Sequence, residues 1–324
     1  MSEEIWLVPD YYPDFSCKCG SCRRTCCYGW EVDIGMKDYY RLIGMECSDE
    51  LHRRIECAFA DPEERSERQF KKIAPNWYGL CPFLNDAGLC ALQLECGAEV
   101  LPEVCRCYPR SIKSTNGILN ACCSCSCEAV VELLERPEKL TFREMRLPVE
   151  PEMRVSAPYD LPQMHENCVR ALRDESKLLR ERILDVCRLA DEDLAAPDRG
   201  KRMRAIGGCA EESENFAPYA KRILERGNAD GSAVLRERFP LWERWLENWL
   251  VNHLLYCDFP YPDGRIRPAD AAYGLYLAFE ILSLTGEACA ADGASKDELT
   301  DAVAAAFHLI EHTSFYYNAY VLMH

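Results

Sequence analysis

The sequence has no uninterrupted apolar run of about 18 residues, the length that a membrane-spanning helix requires. Its first residues, Met-Ser-Glu-Glu-Ile-Trp, include no basic stretch followed by an apolar core, so we predict no signal peptide. Basic residues are also scarce, because 38 Lys and Arg stand against 54 Asp and Glu, a net charge of −16. Such a charge repels phosphate backbones and disfavours nucleic-acid binding. We therefore expect a cytoplasmic protein that binds neither nucleic acid nor membranes.

Two cofactor-binding motifs are also absent. No G-x-G-x-x-G follows a predicted strand, which argues against a Rossmann-type nucleotide-binding domain. The C-x3-C-x2-C motif of radical S-adenosylmethionine enzymes begins at Cys22 and Cys26, but position 29 is a glycine. Histidine is missing from residues 53–164, so the histidines that often complete zinc sites are not available there.

Cysteine, in contrast, is abundant, and 16 of the 21 cysteines lie between Cys17 and Cys127. In a reducing compartment this density indicates metal or redox chemistry rather than a disulfide framework. Thiolates spaced two to four residues apart can converge on one soft metal centre. The clusters are C-x-C-x2-C-x3-C-C from Cys17 to Cys27, C-P-F-L-x4-L-C from Cys81 to Cys90, C-x-C-Y-P-R from Cys105 to Arg110, and C-C-x-C-x-C from Cys122 to Cys127.

Three kinds of metal site fit these clusters. An iron–sulfur cluster takes four thiolates and needs no histidine, which suits an all-sulfur set best. Two zinc sites would use eight cysteines, and a copper(I) or storage protein would use as many thiolates as it can. A separate group of cysteines is isolated on helical patterns, and we predict that these are small buried apolar residues. They are Cys47, Cys57, Cys168, Cys187, Cys209, Cys257 and Cys289; Cys19, Cys96, Cys107, Cys122, Cys123 and Cys125 remain open.

The hydrophobic periodicity predicts a mainly α protein with little strand alternation. We expect a loop-rich cysteine-cluster N-terminal half packed on a helical C-terminal half, as two domains of residues 1–147 and 148–324. A proline-rich linker would join them, containing Pro148, Pro151, Pro158 and Pro162. The predicted helices cover residues 36–59, 62–73, 127–136, 163–192, 199–227, 233–257, 267–290 and 296–312. In the helix over 240–257, Trp242, Trp245 and Trp249 form the apolar face, while Glu243, Arg244, Glu247 and Asn248 face away.

Several of these segments together resemble the flagellin lysine-N-methylase family. The resemblance begins with Phe-Ser-Cys17 and Cys22-x3-Cys26-Cys27-Tyr-Gly-Trp30, and continues through the blocks at Cys81–Cys90, Cys105-x2-Tyr108-Pro109-Arg110 and Cys125-Ser-Cys127-Glu-Ala. The last block is similar to a Ser-x-Ser-Cys-x-Glu-Ala segment of the family. Glu247-Asn248-Trp-Leu-Val-Asn252-His253 and Glu311-His312 are similar to two later segments, with Thr313 in place of an asparagine. The N-terminal half also resembles proteins described as zinc- or iron-chelating.

The resemblance implies transfer of a methyl group from S-adenosyl-L-methionine to lysines of flagellin or a similar protein, with one or two [4Fe–4S] clusters or, alternatively, zinc. It implies Tyr108, Glu311 and His312 as catalytic candidates, and Trp30, Arg110 and Asn252 as cofactor-binding candidates. Packing, ordinary salt bridges and, for His253, a core position explain such residues equally well. Alternatives are a non-catalytic metal-binding or storage protein and a related peptide-modifying enzyme. The ligands that match the family pattern are Cys17, Cys22, Cys26, Cys27, Cys81, Cys90, Cys105 and Cys127.

Overall fold

The computed structural model describes residues 4–147, 149, 153–158, 160–227, 229–262 and 266–323, without the side chains of Met153 and Val155. The chain divides into two compact units. Residues 1–15 and 109–324 form the first, which we call the helical unit. Residues 16–108 form the second, which we call the cysteine unit. In sequence, the cysteine unit is therefore an insertion within the helical unit.

The described residues form eight strands and fourteen α-helices, and 52% of the chain is helical, which confirms the mainly α prediction. The strands are β1 (Glu4–Pro9), β2 (Val32–Ile34), β3 (Phe59–Ala60), β4 (Lys71–Ile73), β5 (Arg110–Thr115), β6 (Ile118–Cys123), β7 (Phe142–Leu147) and β8 (Met153–Val155). The helices are α1 (Met36–Gly44), α2 (Asp49–Cys57), α3 (Ala91–Cys96), α4 (Glu103–Cys107), α5 (Glu128–Leu134), α6 (Leu161–Leu172), α7 (Leu179–Arg188), α8 (Arg199–Ala210), α9 (Ala217–Arg226), α10 (Ser232–Arg238), α11 (Trp242–Tyr256), α12 (Pro268–Ala291), α13 (Lys296–His312) and α14 (Phe315–Met323).

A five-stranded sheet in the order β7-β1-β6-β5-β8 joins β1, which precedes the cysteine unit, to four strands that follow it. β1 runs parallel to β6 and antiparallel to β7, and β5 and β6 form a hairpin. The hairpin turn is Asn116-Gly117, with both residues at positive φ (51° and 81°), as a tight turn between twisted strands requires. Because β1 pairs with strands beyond residue 109, the compact units divide at residues 15/16 and 108/109, whereas the sequence placed its boundary at 147/148.

The helix α12 is buried along most of its length, and it packs against α7, α8, α9, α10, α11, α13 and α14. Polar caps fix where several of the helices begin. Ser295 and Glu298 form a reciprocal capping box at the start of α13, and Asp160 and Asp198 accept backbone hydrogen bonds at the starts of α6 and α8. Within the described residues, α12 is also the helix that is long and apolar enough to cross a membrane, and 78% of its apolar window is buried. The core helix of a globular unit shows the same burial.

The cysteine unit is built from shorter elements. Its three-stranded antiparallel sheet, β2-β4-β3, packs with α1 and α2 around nine buried apolar residues. They are Ile34, Leu42, Leu51, Ile55, Ala58, Ile73, Phe83, Leu92 and Leu101. A core of this size leaves the cysteine-bearing loops to be held mainly by turns and local hydrogen bonds.

Several local predictions were wrong. Residues 62–73 contain no helix, because Lys71–Ile73 pairs with both β2 and β3. Residues 1–35, in which we predicted no helix, include the strands β1 and β2. The predicted helices over 36–59, 163–192, 199–227 and 233–257 are each broken into two, and α14 was not predicted. Of the proposed linker, Pro162 lies in the first turn of α6, while Pro148 and Pro151 lie outside the described residues.

The predicted outward face of α11 is wrong at two positions. Glu247 is 2% exposed and Asn248 is fully buried. The amide of Asn248 donates to the carbonyl oxygens of Leu134 and Glu138 at 3.1 and 2.9 Å. The carboxylate of Glu247 pairs with Arg244 and Arg182 at 2.6 and 3.3 Å. These partners satisfy the two polar side chains inside the unit, so α11 is buried on nearly every side.

Candidate functional site

In the cysteine unit, a short backbone bridge brings two of the predicted ligands together. The amide of Cys81 donates to the carbonyl oxygen of Cys27 at 2.8 Å, and Tyr28 pairs with Leu80 in an isolated antiparallel bridge. Gly79 supports this bridge with a positive φ of 76°, and an added Cβ there would lie 3.0 Å from the Tyr28 ring. The loop of Cys26 and Cys27 therefore lies directly beside the loop that begins at Cys81.

Two further loops place Cys90 and Cys105. The Cys81–Cys90 loop closes on itself through an antiparallel bridge between Leu84 and Cys90. Cys105 lies in α4, whose start is fixed because the carboxylate of Asp38 accepts a hydrogen bond from the Glu103 amide at 2.8 Å. More than a third of the surface of Cys105 is exposed, yet burial around its thiol raises its pKa to about 12, with Cys27 and Cys90 adding to the effect.

The thiol of Cys27 differs from its neighbours in its tendency to ionise. Hydrogen bonds from the thiols of Cys26 and Cys81 lower the pKa of Cys27 to about 3. The same contact with Cys27, together with burial, raises the pKa of Cys81, and burial raises that of Cys90. The thiolate of Cys27 is ready to bind a soft metal ion. Each neighbouring thiol would lose its proton when it binds the same ion.

These residues fit a thiolate-bound centre in donor chemistry. Within the part of the chain that the structure describes, however, no three His, Cys, Asp or Glu side chains are already arranged to hold a metal ion. Seven of the eight predicted ligands lie in the cysteine unit, and Cys127 lies in the helical unit, where it begins α5. Cys17 contacts Cys19, whose amide donates to the Cys17 sulfur at 3.3 Å. The assignment of these eight cysteines stays a prediction.

The side chains of Trp30 and Tyr108 contact each other. Their rings meet edge to face with centroids 5.3 Å apart. The indole nitrogen of Trp30 donates to the carbonyl oxygen of Cys26 at 2.7 Å. In this structure Trp30 therefore holds the loop that carries Cys26 and Cys27. Cofactor binding by Trp30 and catalysis by Tyr108 stay predictions.

In the helical unit, Glu311 and His312 lie at the centre of a buried hydrogen-bond chain, which we call the Glu311 network. One carboxylate oxygen of Glu311 accepts from His253 Nδ1 at 2.8 Å, and the other accepts from the hydroxyl of Ser124. His312 Nε2 lies 3.1 Å from Ser124 Oγ and 2.8 Å from Ser126 Oγ. The network also comprises Tyr316, whose hydroxyl lies 2.7 Å from His253 Nε2.

The two histidines of the Glu311 network carry different charges near neutral pH. Burial disfavours the charged form of His253, but Cys257 and Glu311 outweigh it and raise its pKa to about 10. Burial of His312, with a smaller effect of His308, lowers its pKa to about 3. His253 is therefore the cation that balances Glu311, whereas His312 is a neutral hydrogen-bond partner for the two serines.

Asn252 lies next to His253 in the sequence but contacts a different group of residues. Its amide nitrogen donates to the carbonyl oxygen of Cys123 at 2.9 Å and to the sulfur of Cys125 at 3.3 Å. Its amide oxygen accepts from the Tyr11 hydroxyl at 2.6 Å. Asn252 thus fixes the segment that carries Cys123 and Cys125. Its role in cofactor binding stays a prediction.

The guanidinium group of Arg110 lies over the rings of Phe15 and Tyr12, 4.8 and 5.7 Å from their centroids. It also donates to the carbonyl oxygen of Phe15 at 3.3 Å. Burial raises the pKa of Cys123 to about 12, although Arg110 opposes this. Arg110 therefore supplies positive charge near the buried cysteines of β6, and its contact with a cofactor stays a prediction.

Sequence reasoning missed four members of these groups: Ser124, Ser126, Tyr11 and Tyr316. Ser124 and Ser126 lie in the Ser-x-Ser-Cys segment, so the resemblance contained a signal for them. Tyr11 and Tyr316 reach their partners across 241 and 63 residues, respectively, and no local pattern shows such contacts. Of the isolated cysteines, Cys168, Cys187, Cys209, Cys257 and Cys289 are buried as predicted, whereas Cys47 is half-buried and Cys57 is exposed.

Comparison with known proteins relates this chain to enzymes named for methylation of lysine. The Lysine-N-methylase of Salmonella choleraesuis is 25% identical over 146 residues, which cover 44% of this chain and 36% of that protein. The Lysine-N-methylase of Salmonella typhimurium gives the same identity and coverage. The Flagellar biosynthetic protein FliU of Salmonella muenchen is 24% identical over 148 residues, covering 45% of this chain and 86% of that protein. No family model matches the chain, and no solved structure matches it either.

These similarities define a class and a nearer relationship. The matched enzymes are named as lysine methylases, so the chain is similar to methyltransferase-like proteins. Its similarity to the lysine-N-methylases is distant and agrees with the family resemblance of its motifs. The chain spans about a third of the length of the lysine-N-methylases that it matches.

Proposed function

We propose that this protein is an iron–sulfur protein-lysine N-methyltransferase. In this proposal it takes a methyl group from S-adenosyl-L-methionine and transfers it to flagellin or a similar lysine-bearing protein in the cytoplasm. The observation that carries the proposal is the similarity to lysine-N-methylases over 146 residues. The Glu311 network supports it, because two catalytic candidates named from the sequence lie in one hydrogen-bonded chain.

Methylation of lysine makes two chemical demands. The side-chain amine has a pKa of about 10.4 in water, so it must lose a proton before its nitrogen can attack a methyl group. The attacking nitrogen and the methyl carbon must then be held in line, so that the new N–C bond forms as the C–S bond breaks. A site for this reaction therefore needs a route for one proton and rigid groups that hold the amine and the methyl donor in line.

The Glu311 network provides both features. Ser126 is partly exposed, whereas the side chains of Glu311 and His253 are 0% and 1% exposed. The chain of hydrogen bonds therefore runs from a partly exposed end to a buried carboxylate. In our proposal the lysine amine donates a hydrogen bond to Ser126 or His312, and its proton passes through Ser124 to the carboxylate of Glu311, because the neutral imidazole of His312 is too weak a base to keep it. The buried ion pair of Glu311 with His253 holds the carboxylate in place.

Cys26, Cys27, Cys81, Cys90 and Cys105 are the residues that would hold the cluster most directly, because their thiols already interact. If three of these thiolates held a [4Fe–4S] cluster, its remaining iron would be able to bind the amino and carboxylate groups of the methyl donor. The backbone bridge at Cys27 and Cys81 keeps two of the ligands adjacent, and Trp30 fixes the loop of Cys26 and Cys27.

The test begins with protein purified without oxygen. We expect about four or eight iron atoms with matching acid-labile sulfide. Purified flagellin is then incubated with this protein and S-adenosyl-L-methionine, and methylated lysines are counted by mass spectrometry. We expect methylation that depends on both the protein and the methyl donor. Bound zinc without sulfide would overturn the cluster, and iron–sulfur protein that binds no methyl donor would favour a metal-binding protein.

A substitution at the partly exposed end of the Glu311 network tests the proton route. Ser126→Ala removes one hydroxyl that contacts His312, and we expect the methylation rate to fall about tenfold or more. Ser314→Ala makes the same change at an exposed position close to His312 in sequence, and we expect no change there. Equal rates for the two variants would remove the Glu311 network from the mechanism.

A further inference from the structure

The helical unit contains a cavity of about 250 Å³ that the proposed proton route does not use. One wall is the sheet, through Leu7 of β1 and Phe142 of β7. A second wall is α6, through Leu161 and Val169, and a third follows the end of α11, through Phe259. Most of the lining is therefore apolar. An apolar cavity of about 150 Å³ holds a benzene ring, so this cavity has room for a larger ring system.

Two polar atoms at this cavity have no hydrogen-bond partner among the residues that the structure describes. They are Nε2 of His165, on α6, and Oδ1 of Asn120, on β6, and both atoms are buried. Buried polar atoms in folded proteins nearly always have a partner, because an unpaired one keeps its full desolvation cost. Their presence at the same cavity indicates that a ligand or water supplies the missing bonds.

The charges at the cavity favour a neutral ligand. Burial, with an added effect of Arg173, lowers the pKa of His165 to about 4, so its imidazole is uncharged at neutral pH. Of the two carboxylates that line the cavity, Asp258 lies 3.9 Å from Lys113 and accepts from Thr115 at 3.2 Å. The other, Glu166, is exposed and lies 3.6 Å from Arg170. Both carboxylates already have cationic neighbours.

A neutral imidazole nitrogen can donate one hydrogen bond, and an amide oxygen can accept one. A matching ligand presents one N–H donor and one acceptor at the edge of an apolar, flat body. Adenine has this arrangement, since its exocyclic amino group stands beside ring nitrogens. The ring of Phe142, 5.0 Å from that of His165, offers an aromatic surface at the same place.

We propose that this cavity binds an amino-substituted heteroaromatic ring of the adenine type. Asn120 Oδ1 accepts a hydrogen bond from the amino group, and His165 Nε2 donates one to a ring nitrogen. The inference rests on the proposed function in one respect: the methyl donor is then the source of the ring. Binding of adenosine alone tests the cavity without any methyl transfer.

The experiment measures binding of adenosine and of inosine to the full chain by isothermal titration calorimetry. Inosine carries an oxygen in place of the amino group, so it loses the bond to Asn120. We expect adenosine to bind at least tenfold more tightly than inosine. Equal affinities, or no binding of either, would leave water as the partner of the two polar atoms and overturn the inference.

Asn120→Leu and His165→Phe test the two contacts separately. Each replaces an unpartnered polar group by an apolar one of similar size, so the melting temperature should stay unchanged or rise. Each should weaken adenosine binding about tenfold, and Asn120→Leu should also abolish the preference over inosine. Asn167→Leu makes the same change on α6 at a side chain already bonded to Gln163 and Arg170, and should not weaken adenosine binding.

A competition experiment identifies the molecule whose ring occupies the cavity. If S-adenosyl-L-methionine displaces adenosine, the methyl donor occupies the cavity. If adenosine binds but S-adenosyl-L-methionine does not displace it, the ring site stands and its link to methyl transfer is wrong. If flagellin is methylated while adenosine does not bind, the proposed function stands and the ring site is wrong.

Discussion

The two units hold their cysteines in opposite ways. In the helical unit, eight of nine cysteines are buried, and most of these lie among apolar side chains. In the cysteine unit, all of whose residues are described, none of the twelve cysteines is fully buried. The same residue type is thus part of the core in one unit and of the loops in the other.

This difference reflects how each unit is stabilised. The helical unit buries a large continuous core, and its polar interior is satisfied by hydrogen bonds such as those of Asn248 and Asn252. The cysteine unit buries nine apolar residues within 93 positions, 16 to 108. A core of that size leaves little net stability, so we expect metal ligation to supply much of it.

Metal removal should have the largest effect, and it should lower the stability of one unit but not of the other. We expect chelation without oxygen to destabilise the cysteine unit by several kcal/mol, since structural metal sites contribute about 10 kcal/mol or more to small domains. Hydrogen exchange followed by mass spectrometry would then show protection lost over residues 16–108 and kept in α11, α12 and α13. An equal loss across both units would contradict the comparison.

Within the helical unit, Glu311→Gln should have the next largest effect. The substitution leaves His253 buried without its carboxylate partner, which costs about 3–5 kcal/mol when a buried pair loses one member. Denaturant unfolding measures this change. Glu243→Gln is the matched control, because Glu243 is exposed on α11 and should change stability by less than about 0.5 kcal/mol. A neutral Glu311→Gln would show that the pair contributes nothing.

The same ion pair should make the helical unit sensitive to alkaline pH. The pKa of His253 is raised from 6.5 to about 10, so its contribution to stability is complete below pH 6.5 and is lost as pH rises towards 10. We expect a loss of about 2–4 kcal/mol over this range. Denaturant unfolding at a series of pH values measures it. The Glu311→Gln variant should show a much flatter profile, and an identical profile would assign the slope to other groups.

Single cysteine substitutions give the smallest effect and the sharpest contrast. Cys187→Ser buries a hydroxyl among apolar side chains of the helical unit, so we expect a loss of about 1–3 kcal/mol and unchanged iron content. Cys27→Ser removes the thiol that its neighbours hold as a thiolate, so we expect less bound iron. Iron analysis of both variants checks this. Iron lost from Cys187→Ser but kept in Cys27→Ser would reverse the comparison.

Much of the helical unit could be predicted from the sequence, because its helices carry long periodic patterns. The segments predicted at 127–136, 267–290 and 296–312 correspond closely to α5, α12 and α13. The strands were missed because they are short and because β1 finds its partners more than a hundred residues away. Glu247 and Asn248 were placed outside for a related reason. Their charge and polarity are visible in the sequence, whereas the partners that allow their burial come from other elements.

The candidate site was predictable only where motifs carried it. Glu311, His312 and Asn252 were named through the family resemblance, and all three lie in buried hydrogen-bonded groups. His253 was interpreted as a satisfied core histidine, and its two ring nitrogens are indeed bonded. Its ion pair with Glu311 depends on the packing of α11 against α13, which no spacing within either helix reveals. The thiol neighbours of Cys27 likewise depend on the bridge between Tyr28 and Leu80.

The pairing of β1 with β6 and β7 also constrains the order in which the parts of the protein can fold. β1 is synthesised before its partners, which follow at residues 118–123 and 142–147. The whole cysteine unit is synthesised during this interval. It can therefore fold on the nascent chain while β1 still lacks its partner strands.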